Sequence, residues 1–351
     1  MLRGSSLPVW AITLSGAPTD GNERSMPRRA MIVYNPASGS RNAQADVAEA
    51  RQDLMRRGWS IDLEATRAAG DAGRLVRAAA DADLDAVMIA GGDGTLNEAA
   101  NALVGAGGQR TALGVLPCGT ANMWARQLRM PVSYRAVQEA ARLMADASVR
   151  AIDVGQVTVN IGTARETTRR FLLWSGLGLD AFVTRSVEPR PPSFKRWGVV
   201  GYGLAALRAA TQFRGVRATI DLDGRRLRAR VMLIVVCNAE LYAGYFHLAP
   251  GARLDDGWLD VSVFHGHTLL QALGHLARLV LRRHAGDPRS ATYRARRLRV
   301  TARARCDVHV DAEPIGAVPA EYAVVPGALR VLAPHTAPPE LFIHGPVEER
   351  R

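Results

Sequence analysis

Short apolar runs alternate with longer amphipathic stretches over residues 30–145 of the 351-residue chain. The runs have the length and composition of buried strands, and they occupy residues 30–34, 59–63, 86–90 and 113–116. The stretches between and after them are rich in helix-forming residues, at 41–57, 70–80, 96–104, 123–128 and 133–145. Strand–helix alternation with short connections predicts an open, mostly parallel α/β sheet.

The pattern changes beyond residue 150 to short alternating strands, punctuated by turn signals such as Asp223-Gly224 and Asp256-Gly257. The predicted strands are residues 153–159, 171–175, 217–221, 228–237, 258–264, 297–302 and 306–310. Two helical insertions interrupt them, at residues 195–213 and 268–284. This texture predicts an all-β second domain.

The change of periodicity divides the chain into an α/β domain at residues 29–150 and a β-rich domain at 151–325. Residues 1–28 mix glycine, serine, proline and charge, which predicts a disordered N-terminal extension. The apolar segment at 7–14 lacks the flanks of a signal peptide. Met26 lies just before the first strand and is an alternative start to Met1.

The formal charge of +12 indicates an anionic partner: nucleic acid, a membrane or a nucleotide. Nearly all of the positive charge is arginine, and Lys195 is the single lysine. Walker-A nucleotidases and protein kinases both place a lysine on the phosphates. Lys195 lies in Pro-Pro-Ser-Phe-Lys-Arg-Trp, which fits neither pattern, so both classes are excluded.

The three cysteines lie far apart and form no Cys-x-x-Cys pair. This sparse, odd set predicts a reducing compartment and argues against a disulfide framework or a zinc site. The sequence also contains no apolar run of the roughly 18 residues that a membrane-spanning helix needs.

The most specific local feature is Gly-Gly-Asp-Gly-Thr at residues 91–95, between a buried strand and a helix. Free backbone amides and the helix dipole favour phosphate there, and glycines allow its close approach. An acidic residue inside an anion cradle repels phosphate unless a cation intervenes, so Asp93 indicates Mg²⁺ between the loop and a nucleotide. The alternative is a tight turn that uses Asp93 as a helix cap.

Two further loops follow predicted strands: Asn-Pro-Ala-Ser-Gly at 35–39 and Pro-Cys-Gly-Thr-Ala-Asn at 117–122. The carboxyl ends of parallel strands share one edge of an open sheet, which is where ligands collect. Three loops of this kind at one edge predict a nucleotide site.

The order of these three segments resembles the catalytic domain of the diacylglycerol kinase and sphingosine kinase superfamily, and most of all its soluble bacterial members. The similarity continues through residues 176–181, 248–257 and 310–314, and it ends near residue 334. The resemblance implies an NAD-kinase-like nucleotide domain and a C-terminal β-rich sandwich domain. It also implies that residues 326–351 return to the first domain and end in a C-terminal tail.

The resemblance further implies ATP and Mg²⁺ as cofactors, with ATP bound by residues that match the family's motifs. By position these are Asn35, Thr66, Gly91, Gly92, Asp93, Gly94, Thr95, Leu96, Asn97, Glu98, Gly119 and Thr120.

Two cation positions follow from the same resemblance. Asp93 and, through water, Asp153 would organise Mg²⁺ at the nucleotide. A second hard cation would be held by the Asp256 carboxylate and the backbone carbonyls of Arg253 and Trp258. In the alternative arrangement, the Arg253 guanidinium pairs with Asp256 and replaces that cation.

Glu313 occupies the position of the family's general base, which makes Glu313 and Asp93 the expected catalytic residues. Glu313 would accept the proton of the lipid hydroxyl as it attacks the γ-phosphate. A strand through Asp311 and Glu313 would place both carboxylates on one face, with a solvated polar face or a turn as the alternative. Ala312 replaces a family glycine, which matters only if its φ is positive, and Met123 replaces an acidic residue of many members.

The predicted function is an ATP-dependent lipid kinase that phosphorylates a lipid hydroxyl, with diacylglycerol as the first candidate. A sphingoid-base or other lipid-alcohol kinase, an NAD-kinase-like enzyme and a catalytically weak lipid-binding regulator stay open. The expected partners are ATP and a lipid in a membrane surface, without nucleic acid and with a homodimer as an open question. The expected location is cytoplasmic, peripheral at the inner membrane surface, because the predicted helix at 195–213 is basic and amphipathic, with a core-packing helix as the alternative.

Overall fold

The computed structural model describes residues 28–38, 43–105, 110–133, 136–187, 208, 211–284 and 287–347. The extension predicted at residues 1–28 lies outside this range except for Arg28, and the helix predicted at 195–213 lies almost wholly outside it. Within the described ranges, no helix combines the length and the apolar character needed to cross a bilayer.

The first domain alternates strands and helices as its sequence pattern predicts. Its elements are β1 (Arg28–Tyr34), α1 (Ala43–Arg56), β2 (Trp59–Ala65), α2 (Asp71–Asp81), β3 (Ala86–Gly91), α3 (Asp93–Gly105), β4 (Ala112–Pro117), α4 (Met123–Gln127) and α5 (Ala136–Ala145). The strands are parallel, in the order β2–β1–β3–β4. Every residue of β3 and β4 is buried, because helices leave neither face of a parallel sheet in water.

The second domain is dominated by antiparallel strands. Its elements are β5 (Ser148–Val159), β6 (Thr167–Phe171), β7 (Trp174–Gly178), α6 (Leu179–Val187), β8 (Val216–Leu222), β9 (Arg225–Cys237), β10 (Leu241–Tyr242), β11 (Phe246–His247), β12 (Leu259–His265), α7 (Leu269–Val280), β13 (Ser290–Ala295), β14 (Arg297–Ala302), β15 (Asp307–Val310), β16 (Glu313–Ala317) and β17 (Ala320–Ala333). The single strand predicted at 171–175 is a junction, because β6 ends and β7 begins there.

Strands β5 and β17 join the two domains. They pair with each other in antiparallel fashion, and Val331 of β17 also pairs in parallel with Leu113 of β4. Among the residues that the structure describes, one sheet of 15 strands therefore runs through both domains. The domain boundary predicted at residue 150 falls inside β5, since one unbroken strand serves both sides.

The pairing of β5 with β17 contains an irregularity that shapes the site. Its register shifts between Val325 and Leu329, which pair with Val154 and Ile152. Residues 326–328 therefore lie opposite Asp153 alone, and the shift leaves backbone N–H groups there that a side chain can bind.

Candidate active site

Strand β3 leads directly into helix α3 at the Gly-Gly-Asp segment. The strand ends at Gly91, the helix begins at Asp93, and the Leu96 N–H donates to the Gly92 carbonyl at 3.1 Å. The Asp-Gly-Thr part of the motif is thus the first turn of the helix, whereas the sequence reading placed it in a preceding loop. The first N–H groups of a helix have no intrahelical partner, so this turn offers donors to an anion.

The loop after β4 lies on the loop after β3. Cys118 donates its N–H to the Gly91 carbonyl at 3.1 Å, and a Cβ atom on Gly119 would lie 2.5 Å from the Gly92 Cα. Position 119 therefore needs glycine for the two loops to touch, whereas a Cβ atom on Gly92 would make an ordinary contact at 3.5 Å. Asn122 braces the second loop, since its side chain accepts from the Gly119 N–H at 2.9 Å and donates to the Gly119 carbonyl at 2.8 Å.

Asp93 links the two helices that begin at this edge. Its Oδ1 atom accepts the N–H of Met123 at 2.6 Å and that of Trp124 at 3.4 Å, both in the first turn of α4. Burial raises the pKa of the Asp93 carboxyl, and these N–H donors oppose the shift. Met123 contributes its backbone here while its side chain is buried, so the missing acidic side chain leaves this contact intact.

The loop after β1 reaches the same turn. The Asn35 amide donates to Thr95 Oγ1 at 3.0 Å, and its Oδ1 atom accepts the Ala37 N–H at 2.9 Å. Thr66 follows β2, and its N–H donates to the Tyr34 carbonyl at 2.9 Å. The segments that carry the predicted ATP-binding residues therefore gather at one sheet edge, as the strand order requires.

Some of the residues predicted to bind ATP contribute to the packing of the protein instead. Glu98 accepts the Gly73 N–H at 2.8 Å and thereby ties α3 to α2. Leu96 and Asn97 are buried, whereas Gly94 and Thr120 are exposed. The exposed members are the ones open to a ligand from solvent.

Glu313 comes to this turn from the second domain. It begins β16 after a two-residue turn, Asp311 and Ala312, whose φ angles are 43° and 69°. A Cβ atom on Gly94 would lie 2.8 Å from Glu313 Oε1, so the carboxylate lies against the first turn of α3. The expectation that Asp311 and Glu313 share a strand face is wrong, because a turn with positive φ separates them.

Asp311 points into the protein and has a structural role. Its two oxygens accept N–H groups from Leu172, Leu173 and Trp174 at 3.1–3.2 Å and from the Asn97 side chain at 3.0 Å. Burial raises the pKa of this carboxyl to about 7, although the backbone donors oppose the shift. Sequence reasoning had no signal for this contact, because the turn and its donors are far apart along the chain.

Asp153 binds two segments that surround the junction of the domains. Its Oδ2 atom accepts the Gly257 N–H at 2.6 Å, and its Oδ1 atom accepts the Gly327 N–H at 2.8 Å. It is 2% exposed, and burial raises the pKa of its carboxyl against these donors. Its predicted action on Mg²⁺ through water stays a prediction.

At the loop expected to hold a second cation, the Asp256 carboxylate pairs with a guanidinium from another strand. Arg294 of β13 forms an ion pair with the Asp256 carboxylate and lies 3.7 Å from Asp260, while Arg253 is exposed. Asp256 also accepts the Trp258 N–H at 3.0 Å. No group of three or more His, Cys, Asp or Glu side chains in the described part of the chain is arranged to hold a metal ion. The cation at Asp256 stays a prediction, and Arg294 argues against it because it already neutralises that carboxylate.

A buried histidine–aspartate pair near the site was not predicted from the sequence. His309 and Asp180 lie 2.6 Å apart between Nε2 and Oδ2, and His309 is 1% exposed. Burial acts to raise the pKa of Asp180, but the contacts with His309 and Tyr242 together outweigh it, and the pKa is lowered. The pair joins the start of α6 to β15, two residues before Asp311.

Two family descriptions match this chain. Residues 29–157 match the diacylglycerol kinase catalytic domain, and residues 175–333 match the YegS C-terminal NAD kinase beta sandwich-like domain. These matches confirm the predicted fold class, an α/β nucleotide domain followed by a β-rich sandwich-like domain.

Individual relatives cover nearly the whole length. A diacylglycerol kinase of Bacillus subtilis (strain 168) is 29% identical over 308 residues, which is 88% of this chain and 97% of that protein. One from Staphylococcus carnosus (strain TM300) is 27% identical over 314 residues, with 88% and 96% covered. The crystal structure of a diacylglycerol kinase from Bacillus anthracis str. Sterne shares the fold, with a TM-score of 0.71 at 21% identity over 88% of this chain and 98% of that one.

Proposed function

Since the chain belongs to the diacylglycerol kinase family of lipid kinases, we propose that it transfers the γ-phosphoryl group of ATP to the free hydroxyl of diacylglycerol. The observation that carries this proposal is the contact of Glu313, from the second domain, with Gly94 in the first turn of α3, in the first domain. A carboxylate beside a phosphate cradle suits proton removal from an attacking alcohol.

The triphosphate would bind at the first turn of α3 and on the adjoining loop that begins at Gly119. The backbone contact of Gly92 with Gly119 supports this assignment, because it brings two glycine-containing loops together at this sheet edge. The exposed Thr120 and the nearby Thr66 offer hydroxyl groups for the remainder of the nucleotide. Positioning of this kind supplies most of the catalysis in phosphoryl transfer.

The residues present fit one Mg²⁺ ion at the nucleotide. Mg²⁺ commonly takes one or two carboxylates and fills its octahedral shell with phosphate oxygens and water. Asp93 lies within the proposed phosphate cradle, held by the N–H groups of α4. Mg²⁺ there would neutralise charge on the transferred phosphoryl group, and Asp153 would act on it only through water.

Glu313 would act as the general base. It accepts the proton of the acceptor hydroxyl while that oxygen forms a bond to the γ-phosphorus and the bond from phosphorus to the β-phosphate oxygen breaks. ADP leaves, and the product is phosphatidic acid. Asp311 is a poor base by comparison, since its oxygens already accept four N–H groups inside the protein.

A thin-layer assay with γ-labelled ATP tests the acceptor directly. The panel contains diacylglycerol, sphingosine, ceramide, undecaprenol and NAD, each with and without Mg²⁺. We expect label in phosphatidic acid, and only with Mg²⁺. Label on a sphingoid base or on NAD would assign the enzyme to that acceptor, and no labelled product at all would favour a lipid-binding regulator.

A further inference from the structure

The outward side of helix α7 is apolar. The side chains involved form what we call the α7 stripe: Leu270 (79% exposed), Leu273 (44%), Leu276 (48%), Val280 (58%) and Leu281 (63%). Their spacing places them on one side of the helix. Only three other large apolar side chains are exposed in the described part of the chain, Met55, Tyr245 and Ile343, so exposed apolar surface is concentrated here.

The opposite side of α7 is fixed to the protein. His275 is 7% exposed, and its Nε2 atom donates to the His265 carbonyl at 2.8 Å. Its ring lies edge-on to Phe264 with centroids 5.2 Å apart. A capping box of Thr268 and Gln271 closes the N-terminus of the helix. The helix is therefore held in one orientation, with the stripe directed away from the core.

Helix α7 and the residues directly after it carry only positive charge, and one of its arginines, Arg278, pairs with the buried Asp287 at 3.1 Å. Residues 269–283 contain no acidic side chain, and the exposed Arg282 and Arg283 follow the stripe at its C-terminal end. The whole chain carries +12, which opposes contact between two copies and favours an anionic surface. A helix with an apolar side and flanking arginines suits the interface of a bilayer that contains anionic lipid.

Helix α7 is connected to the first turn of α3, which carries Asp93, through neighbouring elements. It packs against β11, and His284, which follows the helix, contacts the Leu248 carbonyl through Nε2 at 3.1 Å. The β10–β11 hairpin donates the Leu241 N–H to Gln127 of α4 at 3.0 Å. At its tip, the Tyr245 ring lies 4.5 Å from the Arg126 guanidinium.

Helix α4 completes this connection, because the N–H of its Met123 binds Asp93. A surface that held α7 would thus hold the elements that line the proposed phosphate cradle. Tyr245, in the hairpin that connects α7 to α4, is 57% exposed and adds an amphipathic side chain to the apolar ones of the stripe.

We propose that the α7 stripe inserts into the boundary between headgroups and acyl chains of an anionic bilayer, with Arg282 and Arg283 on lipid phosphates. The kinase would then take its acceptor from the leaflet to which it is bound, a consequence that rests on the lipid acceptor proposed above.

Vesicle flotation tests the surface without any need for catalysis. The vesicles are phosphatidylcholine alone or phosphatidylcholine with phosphatidylglycerol, and the test variant is Leu270→Gln/Leu273→Gln. Removing two inserted leucines should lower partition onto the anionic vesicles by about tenfold or more. The matched control is Met55→Gln, since Met55 is an apolar residue on helix α1 with 48% exposure, and it should bind like wild type. Both variants should keep the wild-type melting temperature, because the side chains are exposed.

A charge variant separates the two parts of the surface. Arg282→Gln/Arg283→Gln should lower binding to anionic vesicles by about fivefold per arginine and leave weak binding to neutral vesicles unchanged. Equal loss on both vesicle types would contradict the role assigned to the arginines.

The outcomes keep this proposal distinct from the proposed function. If the Leu270→Gln/Leu273→Gln variant binds anionic vesicles as well as the wild type does, the proposal that the α7 stripe binds membranes is wrong. It is also wrong if the wild type is a dimer and this variant is a monomer, because the stripe would then contact a second copy of the chain. With a water-soluble short-chain diacylglycerol the variant should keep wild-type turnover. If the wild-type protein phosphorylates no lipid, the proposed function fails while flotation still decides the surface.

Discussion

Asn97 donates its side-chain amide to Asp311 Oδ2 at 3.0 Å, across 214 positions of the chain. Asn97 belongs to the helix turn that follows Gly91, and Asp311 belongs to the hairpin turn that precedes Glu313. The bond therefore fixes the proposed base relative to the proposed phosphate cradle. The two domains are therefore in contact at the proposed catalytic site in two places: through this hydrogen bond and through the approach of Glu313 to Gly94.

Replacing Asp311 should affect stability and its pH dependence together. Asn can accept at one oxygen only, so Asp311→Asn leaves buried N–H groups without an acceptor, at a cost of about 1–3 kcal/mol. Burial raises the pKa of Asp311 from 3.8 to about 7, so the native state binds an extra proton between those values. The free energy of unfolding of the wild type should then fall as pH rises from 4 to 7, to the extent that this carboxyl contributes.

Denaturant titrations of both proteins across this pH range measure the difference. The Asp311→Asn variant should show a smaller decline than the wild type, because the titrating group is gone. Parallel profiles would mean that the carboxyl is ionised throughout, held so by its N–H donors.

Glu313→Gln should lower turnover by about 10²–10⁴-fold while ATP affinity changes little, since the amide keeps the shape and loses the basicity. Steady-state kinetics with diacylglycerol and a separate ATP-binding titration provide the two readouts. The control is Glu321→Gln, because Glu321 is an exposed carboxylate of β17 that is paired with Arg299 at 3.0 Å. A loss of ATP affinity in Glu313→Gln would assign Glu313 to nucleotide binding.

Asp93 is expected to have two separable roles. Asp93→Ala removes the carboxylate and also the acceptor of the Met123 N–H, and it should abolish transfer to any lipid. Asp93→Asn keeps an acceptor oxygen for that N–H but loses the charge for Mg²⁺, so it should fold like wild type and still lack activity. Near-normal turnover of Asp93→Asn with Mg-ATP would refute the metal assignment.

Ala312→Gly should stabilise the protein. Ala312 has a φ of 69°, and an L-residue in this region costs about 1–2 kcal/mol, which exceeds the entropic cost of glycine of about 0.5–1 kcal/mol. We expect a net gain of up to about 1 kcal/mol by denaturant unfolding. Ala291→Gly, within strand β13, should lose stability by about 0.5–1 kcal/mol instead. A loss in both variants would contradict the backbone argument.

Arg294 and a divalent ion are alternative partners that could neutralise the Asp256 carboxylate. With Arg294 in place, the melting temperature of the nucleotide-free protein should not respond to Mg²⁺. Arg294→Gln leaves a nearly buried carboxylate without its counter-charge and should destabilise by about 1 kcal/mol, a modest value since the arginine is half exposed. Mg²⁺ should restore part of that loss. A Mg²⁺-dependent rise in the wild type that Asp256→Asn abolishes would establish the cation site.

The peripheral membrane location, the homodimer and the role of the helix at residues 195–213 stay predictions. The flotation experiment addresses the first for helix α7, and the elution volume of the wild-type protein addresses the second.

The sequence predicted the strand–helix order of the first domain because each strand there is a short apolar run closed by a turn signal. It also predicted helix α7, where a periodic stripe follows Thr268. It missed α6, which is short and directly follows β7, whose last residue is Gly178 with a φ of 91°. No Gly or Asn marks the turn at Asp311 and Ala312, so the sequence favoured a continuous strand over the turn that was its alternative.

Other parts of the site depend on partners that local sequence does not encode. Arg253 is the nearest arginine to Asp256 along the chain, yet strand pairing brings Arg294 of β13 to it. The contacts of Asp311 with Asn97 and of His309 with Asp180 likewise join residues more than a hundred positions apart. Motif order identified the site, whereas the contacts that position it required the fold.

The position of β17 beside β4 has a consequence for synthesis of the chain. Strand β4 is buried at every residue and would be the outermost strand of the first-domain sheet until Val331 reaches Leu113. More than two hundred residues are translated between these two positions, so the nascent first domain presents an apolar strand edge while the ribosome makes the second domain. During that interval the edge can pair with other chains, and a chaperone that shields it should raise the yield of soluble protein.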